Sequence, residues 1–484
     1  MRAVFAFVLL LFLTTRFATQ TPDNQTVIPL GQVVERVVCA QDVNQTYALY
    51  LPSNYVNTRK WPILYAFDPG ARGRIPVERF KEAAERFGWI VVGSNNSRNA
   101  SVQSSIDAWN AMTRDTTGRF SLDDNRVYAV GFSGGARVSL LIASQCKDCL
   151  AGVIAGGAGF PVGIEPANTM RFALFLMAGT DDFNFAEIKS LEEGLVRANI
   201  TYQIETFPGR HEWPGSSVAT DAVAWMELIA MKSGRREQDP QFIESWQTAK
   251  LKQAREFEGA KKVYEAYQTY LELSSALKGL RDVAEIENKL TESRNSREVR
   301  EAIRDEQQQI KKQRDLESQL AALIAATERM KLPNSDGGGT ANGRDDTSSD
   351  PEARLHALLG ELNHQMKGEQ DTVTRRIARR VLEGQYIGLF ERGMPVLQNQ
   401  KRSEEAVRVF TLATEVAPER AGAFYYLAWA YNSKGDRKKS LKALQTAVDK
   451  GFSDIAGLES NKAFDSLRDD PQYQKIINAL KARR

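Results

Sequence analysis

The chain has 484 residues, too many for one hydrophobic core and enough for two to four domains. Hydrophobic residues make up 42% and charged residues 26%, ordinary globular proportions that exclude wholesale disorder. Lysine and arginine number 64 against 61 acidic residues, and a net charge of +3 gives no electrostatic reason to expect a nucleic-acid partner. Three cysteines, Cys39, Cys146 and Cys149, exclude a disulfide-built scaffold and a four-cysteine zinc site. Only three histidines are present, His211, His356 and His364, so any chemistry that needs an imidazole has few candidates.

At the amino end, Arg2 precedes an apolar run from Ala3 to Leu13, followed by Thr14, Thr15 and Arg16. A bilayer span needs about 20 residues. The run is shorter, and it fits a secretory signal peptide over residues 1–20 ending near Ala18-Thr19-Gln20. No later segment reads as a stable membrane span. The expectation is an exported protein, secreted or periplasmic, with one disulfide and one odd thiol.

From residue 27 to 235, short apolar runs alternate with helical patterns, and most of the glycine and proline lies here. Strands are expected at 33–38, 45–51, 63–67, 89–93, 126–130, 151–155, 172–178 and 202–207, with helices at 77–87, 136–144 and 185–198. Several strands are continuous apolar runs, as parallel strands buried on both faces must be. The alternation predicts an α/β domain with a mostly parallel sheet of eight strands.

Over 239–330 glycine almost disappears, and Glu, Lys, Arg, Gln, Ala and Leu take over, predicting a solvated helical hairpin. Residues 331–352, with Gly337-Gly338-Gly339 and Ser348-Ser349-Asp350-Pro351, read as a flexible linker. Helices resume over 353–484, where Ala406, Phe410, Ala413 and Pro418 recur 34 residues later as Ser440, Leu444, Ala447 and Phe452. That period resembles the tetratricopeptide repeat, which implies an all-α region able to take a protein partner.

The chemistry concentrates at Gly131-Phe132-Ser133-Gly134-Gly135, between the strand 126–130 and a helical pattern. Glycines permit the sharp turn that lifts Ser133 above a sheet, and the helix start offers free N–H groups to a developing oxyanion. A serine hydroxyl needs a base at neutral pH. His211, on the loop Phe207-Pro208-Gly209-Arg210-His211-Glu212-Trp213-Pro214 after the last strand, is the only histidine of this zone. The third member is a carboxylate in Gly179-Thr180-Asp181-Asp182, where Asp181 and Asp182 both qualify.

This Ser, Asp, His order, with Gly-x-Ser-x-Gly-Ala and Gly-x-His-x-Trp-Pro elements, resembles the α/β-hydrolase superfamily over residues 30–232, in its secreted bacterial esterase branch of feruloyl esterase-like, acetyl xylan esterase-like and polyhydroxyalkanoate depolymerase-like enzymes. The resemblance implies a serine esterase that needs no metal or organic cofactor. The loop in that branch usually reads Gly-x-x-Asp, which favours Asp182 and leaves Asp181 as a capping residue. It also implies an oxyanion hole from the Gly134 amide and an amide of Gly70 or Ala71. Here the sequence Asp68-Pro69-Gly70-Ala71-Arg72-Gly73 stands where the branch is often His-Gly rich.

Trp213, Asn95 in the polar run 94–99, and Arg72 are the candidate substrate-binding residues; each also has an ordinary packing, loop or ion-pair role open to it. Cys146 and Cys149 have redox-pair spacing but follow a helix, so a structural bridge or buried thiols is expected. Two other functions remain in play: a serine peptidase with the same triad, and a non-catalytic scaffold whose repeats do the work.

Overall fold

The computed structural model describes residues 28–99, 101–330, 350–367 and 370–482; the expected signal peptide and nearly all of the expected linker lie outside them. Eight strands form one sheet: β1 (Val33–Cys39), β2 (Asp42–Tyr50), β3 (Trp61–Phe67), β4 (Ile90–Ser94), β5 (Leu122–Phe132), β6 (Gly152–Gly156), β7 (Ala173–Gly179) and β8 (Tyr202–Phe207). Their order is β1-β2-β4-β3-β5-β6-β7-β8. β2 runs antiparallel to both β1 and β4, and every other pairing is parallel.

All seven residues of β3 and of β7 are buried, which explains their unbroken apolar sequence. Successive side chains of a strand point to opposite faces. Leu64 and Ala66 of β3 therefore join the core under α1 (Arg74–Phe87), while Ile63, Tyr65 and Phe67 join the core on the other face, with α2 (Val102–Arg119), α3 (Gly134–Gln145) and α4 (Phe185–Arg197). α5 (Ser216–Lys232) covers the same face as α1.

The next helices do not form a solvated hairpin. In α6 (Pro240–Gly259), α7 (Val263–Leu277) and α8 (Ala284–Asn295), residues Ile243, Trp246, Ala254, Tyr270, Leu273 and Ile286 share the core of α1 and α5. The stripe Ile243, Trp246, Lys250 and Ala254 is a narrow buried face on an otherwise charged helix, which is why composition alone reads it as solvated. α9 (Arg297–Met330) is 34 residues long, about 50 Å at 1.5 Å per residue.

Near its end, Leu320, Leu323 and Ile324 enter a second core built with α10 (Pro351–Met366), α11 (Val373–Leu397), α12 (Ser403–Val416), α13 (Ala421–Lys434) and α14 (Arg437–Asp449). α12 and α14 begin 34 residues apart, at Ser403 and Arg437, and both pack on α13. No helix among the described residues is long and apolar enough to cross a membrane.

The register sets the carboxyl ends of the central strands level with one another. Phe67 pairs with Gly131, Phe132 with Gly156, and Gly179 with Phe207. The loops that follow β3, β5, β6, β7 and β8 thus gather along one edge, where ligands of open α/β sheets are held. The turn out of β5 is tight enough to demand glycine. A β-carbon at Gly135 would lie 1.9 Å from the Phe67 carbonyl oxygen, and one at Gly131 would lie 2.0 Å from that of Gly135. Gly135→Ala is therefore expected to destabilise the chain by about 3 kcal/mol or more through overpacking. A β-carbon at Gly118, within α2, meets nothing within 4 Å. Gly118→Ala should stabilise by up to about 1 kcal/mol, and thermal melts of the two variants should move in opposite directions.

Candidate active site

Ser133 sits between the end of β5 and the first residue of α3, with φ 54° and ψ −121°. Positive φ is costly for a residue with a β-carbon and persists only where the surroundings enforce it. Here the Ser133 N–H donates to the Gly156 carbonyl at 2.7 Å, and the Ser133 carbonyl accepts the N–H groups of Ala136 and Arg137. Gly134 opens α3, so its amide belongs to the first turn, which lacks intrahelical acceptors.

The loops after β7 and β8 are laddered together. Thr180 N–H donates to the Phe207 carbonyl and Asp181 N–H to the Gly209 carbonyl, each at 2.8 Å. This brings Nδ1 of His211 to 2.8 Å from Oδ1 of Asp182, which also accepts the Asn184 N–H at 2.8 Å. Asp182 is 1% exposed. Burial pushes its carboxyl above the usual range, while the His211 contact and the Asn184 N–H pull it back. An ionised Asp182 accepts Nδ1–H and leaves the other ring nitrogen, Nε2, with a free lone pair.

Asp181 is engaged elsewhere, in an ion pair with Arg379 of α11. The His211 ring packs against both Phe132 and Phe183, with centroids 4.6 and 4.0 Å away. Its Cε1 comes within 3.1 Å of where a β-carbon on Gly157 would stand. The imidazole is thus set beside the residue that precedes Ser133 and the glycine that follows the acceptor of its N–H.

The expected second oxyanion donor is not free. The Gly70 N–H donates to Oδ1 of Asp68 at 2.8 Å, and the Ala71 N–H closes a turn onto the Asp68 carbonyl at 3.1 Å. An oxyanion at either amide would have to displace Asp68. Asp68, completely buried, also accepts Arg72 at Oδ1 and Oδ2 and the indole N–H of Trp213 at 2.8 Å. Arg72 and Trp213 therefore act in this structure as partners of Asp68, with Trp213 also packed against Phe132.

Asn95 spends its side-chain amide on the Glu35 carbonyl of β1 at 3.0 Å. Asn99, four residues on, is the one that meets the elbow: a β-carbon on Gly134 would lie 1.8 Å from its Oδ1. Asp68 was readable in principle as an acid directly following an apolar strand; Asn99 and Phe183 carried no sequence signal. Away from the site, Cys146 and Cys149 form a disulfide, and Cys39 is a buried free thiol.

The sheet order, the elbow after β5 and the acid and histidine loops after β7 and β8 define an α/β-hydrolase fold followed by an all-helical region. Within it, residues 81–213 match the sequence profile of the Dienelactone hydrolase family. Solved structures similar to the chain include an S-formylglutathione hydrolase from Staphylococcus aureus, at 18% identity and TM-score 0.32, covering 38% of this chain and 90% of that one. A ferulic acid esterase aligns at 16% identity and TM-score 0.35, covering 41% and 98%. A hyperthermophilic esterase from the archaeon Pyrobaculum calidifontis aligns at 12% identity and TM-score 0.35, covering 42% and 87%. No curated protein matches the chain.

Proposed function

We propose that the chain is a serine hydrolase that cleaves carboxylic esters through Ser133, His211 and Asp182. The observation that carries this reading is the 2.8 Å contact between Nδ1 of His211 and Asp182, with the imidazole packed on Phe132, the residue before an elbow serine in a strained backbone conformation. Nε2 of His211 takes the Ser133 proton as Oγ attacks the ester carbonyl, and Asp182 stabilises the imidazolium that forms. The Gly134 amide at the start of α3 faces the developing oxyanion. The imidazolium then protonates the departing alcohol, and water, activated by the same nitrogen, hydrolyses the acyl-enzyme.

The match of residues 81–213 to a hydrolase family supports the same class of reaction. The proposal extends to an exported protein, secreted or periplasmic; the apolar run Ala3 to Leu13 and the Cys146–Cys149 bridge support that setting. It also extends to tetratricopeptide-like repeats at α12 to α14 that take a protein partner, supported by their 34-residue recurrence.

A fluorophosphonate probe tests the catalytic reading, because only an activated serine reacts with it. The full chain should be labelled once, at Ser133, and should turn over aryl esters faster than matched amides. An unlabelled chain, or labelling at another serine, would sink the proposal. Amide turnover equal to ester turnover would reassign the substrate to peptides.

A further inference from the structure

The loop that carries Asp182 is held from outside the α/β domain. Arg380 of α11 is 2% exposed. Its Nε donates to the Thr180 carbonyl at 2.9 Å, Nη2 donates to the same oxygen, and Nη1 donates to Oε1 of Gln313 at 3.2 Å. The guanidinium carbon lies 3.9 Å over the Phe185 ring. Gln313 of α9, fully buried, donates from Nε2 to the Phe183 carbonyl at 2.9 Å. The neighbouring Arg379 pairs with Asp181.

Residues on both sides of Asp182 thus have fixed partners on two later helices, at positions more than a hundred residues past the last strand. One turn beyond Arg380, Gly384 rests against Phe183, where a β-carbon would stand 3.3 Å from that of Phe183. Phe183 in turn covers His211. A buried guanidinium is expensive to keep unless its donors are satisfied, and apolar side chains would hold two domains together at lower cost. This one spends its donors on the backbone of the acid loop and on the glutamine that grips the same loop. Burial draws Arg380 down to about 10, so it stays cationic at neutral pH.

We propose that Arg380, together with Gln313, is a positioning residue for Asp182, so that the helical region after the sheet is part of the catalytic machinery. This rests on the ester-hydrolase reading above. The two helices fix Thr180, Phe183 and Phe185, and the fixed loop presents Oδ1 of Asp182 to His211. Neither residue touches the reacting atoms in this scheme; both act through the carboxylate. A misplacement of about 1 Å is enough to cost on the order of 100-fold in rate.

The test uses the full chain with Arg380→Ala, Arg380→Lys and Gln313→Ala. Arg392→Ala serves as a control, since Arg392 of α11 pairs with Glu328 and not with the acid loop. Fluorophosphonate titration counts active sites, and kcat, KM and the pH dependence of kcat/KM are measured per labelled site. Arg380→Ala and Gln313→Ala are expected to lower kcat about 10- to 100-fold with KM within about twofold, while Arg380→Lys recovers part of the loss and Arg392→Ala matches the parent.

The acid limb of the pH profile separates positioning from simple charge removal. Charged groups about Asp182 and His211 include Asp181, Glu383, Arg379 and Arg380, with Arg210 and Glu212 flanking the histidine on its own loop. A displaced carboxylate destabilises the imidazolium and moves the limb to lower pH, whereas losing only a nearby positive charge moves it to higher pH. Gln313→Ala removes no charge, so a downward shift there supports positioning directly. Unchanged kcat per labelled site in Gln313→Ala and Arg380→Lys, or a loss explained wholly by fewer labelled sites, overturns the proposal even if Arg380→Ala fails to fold. A parent chain that is not labelled at Ser133 removes the ester-hydrolase reading itself and this inference with it.

Discussion

Ser133→Ala is expected to abolish fluorophosphonate labelling and to lower ester turnover by roughly 10⁴-fold or more. The alcohol that attacks the carbonyl is gone, and what remains is binding plus whatever the Gly134 amide contributes to the uncatalysed attack of water. Stability should hardly change, because the conformation of residue 133 is enforced by backbone bonds to Gly156, Ala136 and Arg137 that alanine keeps. His211→Ala should lose a comparable factor, since the hydroxyl then has no positioned base. The two losses should not add, because nucleophile and base act as one unit. A double variant far slower than either single one would mean that Ser133 and His211 serve separate reactions.

The second large effect distinguishes two adjacent carboxylates. Asp182→Asn should cost on the order of 10⁴-fold in turnover at neutral pH. The asparagine amide can donate to Nδ1 of His211, which favours the ring tautomer with its proton on Nε2, and that nitrogen then cannot accept the serine proton. Asp181→Asn removes only the charge that faces Arg379, whose neighbour Arg380 still grips Thr180, and a loss of less than about tenfold is expected. Turnover of both variants at neutral pH decides the matter. A large loss at Asp181 and a small one at Asp182 would transfer the role and leave the nucleophile and base in place.

The strands were legible because sheet burial writes itself into sequence as apolar runs. The expected run 202–207 matches β8, and those at 63–67 and 151–155 miss their strands by one or two residues. β5 begins earlier than expected, at Leu122, because Asp123, Asp124 and Asn125 read as a turn. α2 was not anticipated at all. Its serines, threonines and asparagine carry weak helix preference, and packing of Ala108 and Met112 on the sheet overrides it.

Of the proposed site, the candidate nucleophile, base and acids were readable because each follows a strand in chain order. The use made of Gly70 and Ala71 was not, since buried Asp68 takes both amides, that of Gly70 at its side-chain carboxylate and that of Ala71 at its backbone carbonyl. The grip on the acid loop was least legible of all. Arg379, Arg380 and Gln313 are polar residues on strongly charged helices, where such side chains ordinarily face water, and only the tertiary fold shows where they are spent.

That grip also has a temporal side. Arg380 and Thr180, joined by hydrogen bonds, stand 200 residues apart in the chain. A ribosome working at about 5–20 residues per second takes roughly 10 to 40 s to travel between them. The nascent chain therefore holds a complete sheet, a serine elbow and a histidine loop well before the side chain that tethers Thr180 exists. A product terminated between residues 296 and 379 would present every strand of the sheet and the helices that complete its core, yet lack the tether, and weak activity in it would mark unfinished synthesis in an otherwise well-formed domain.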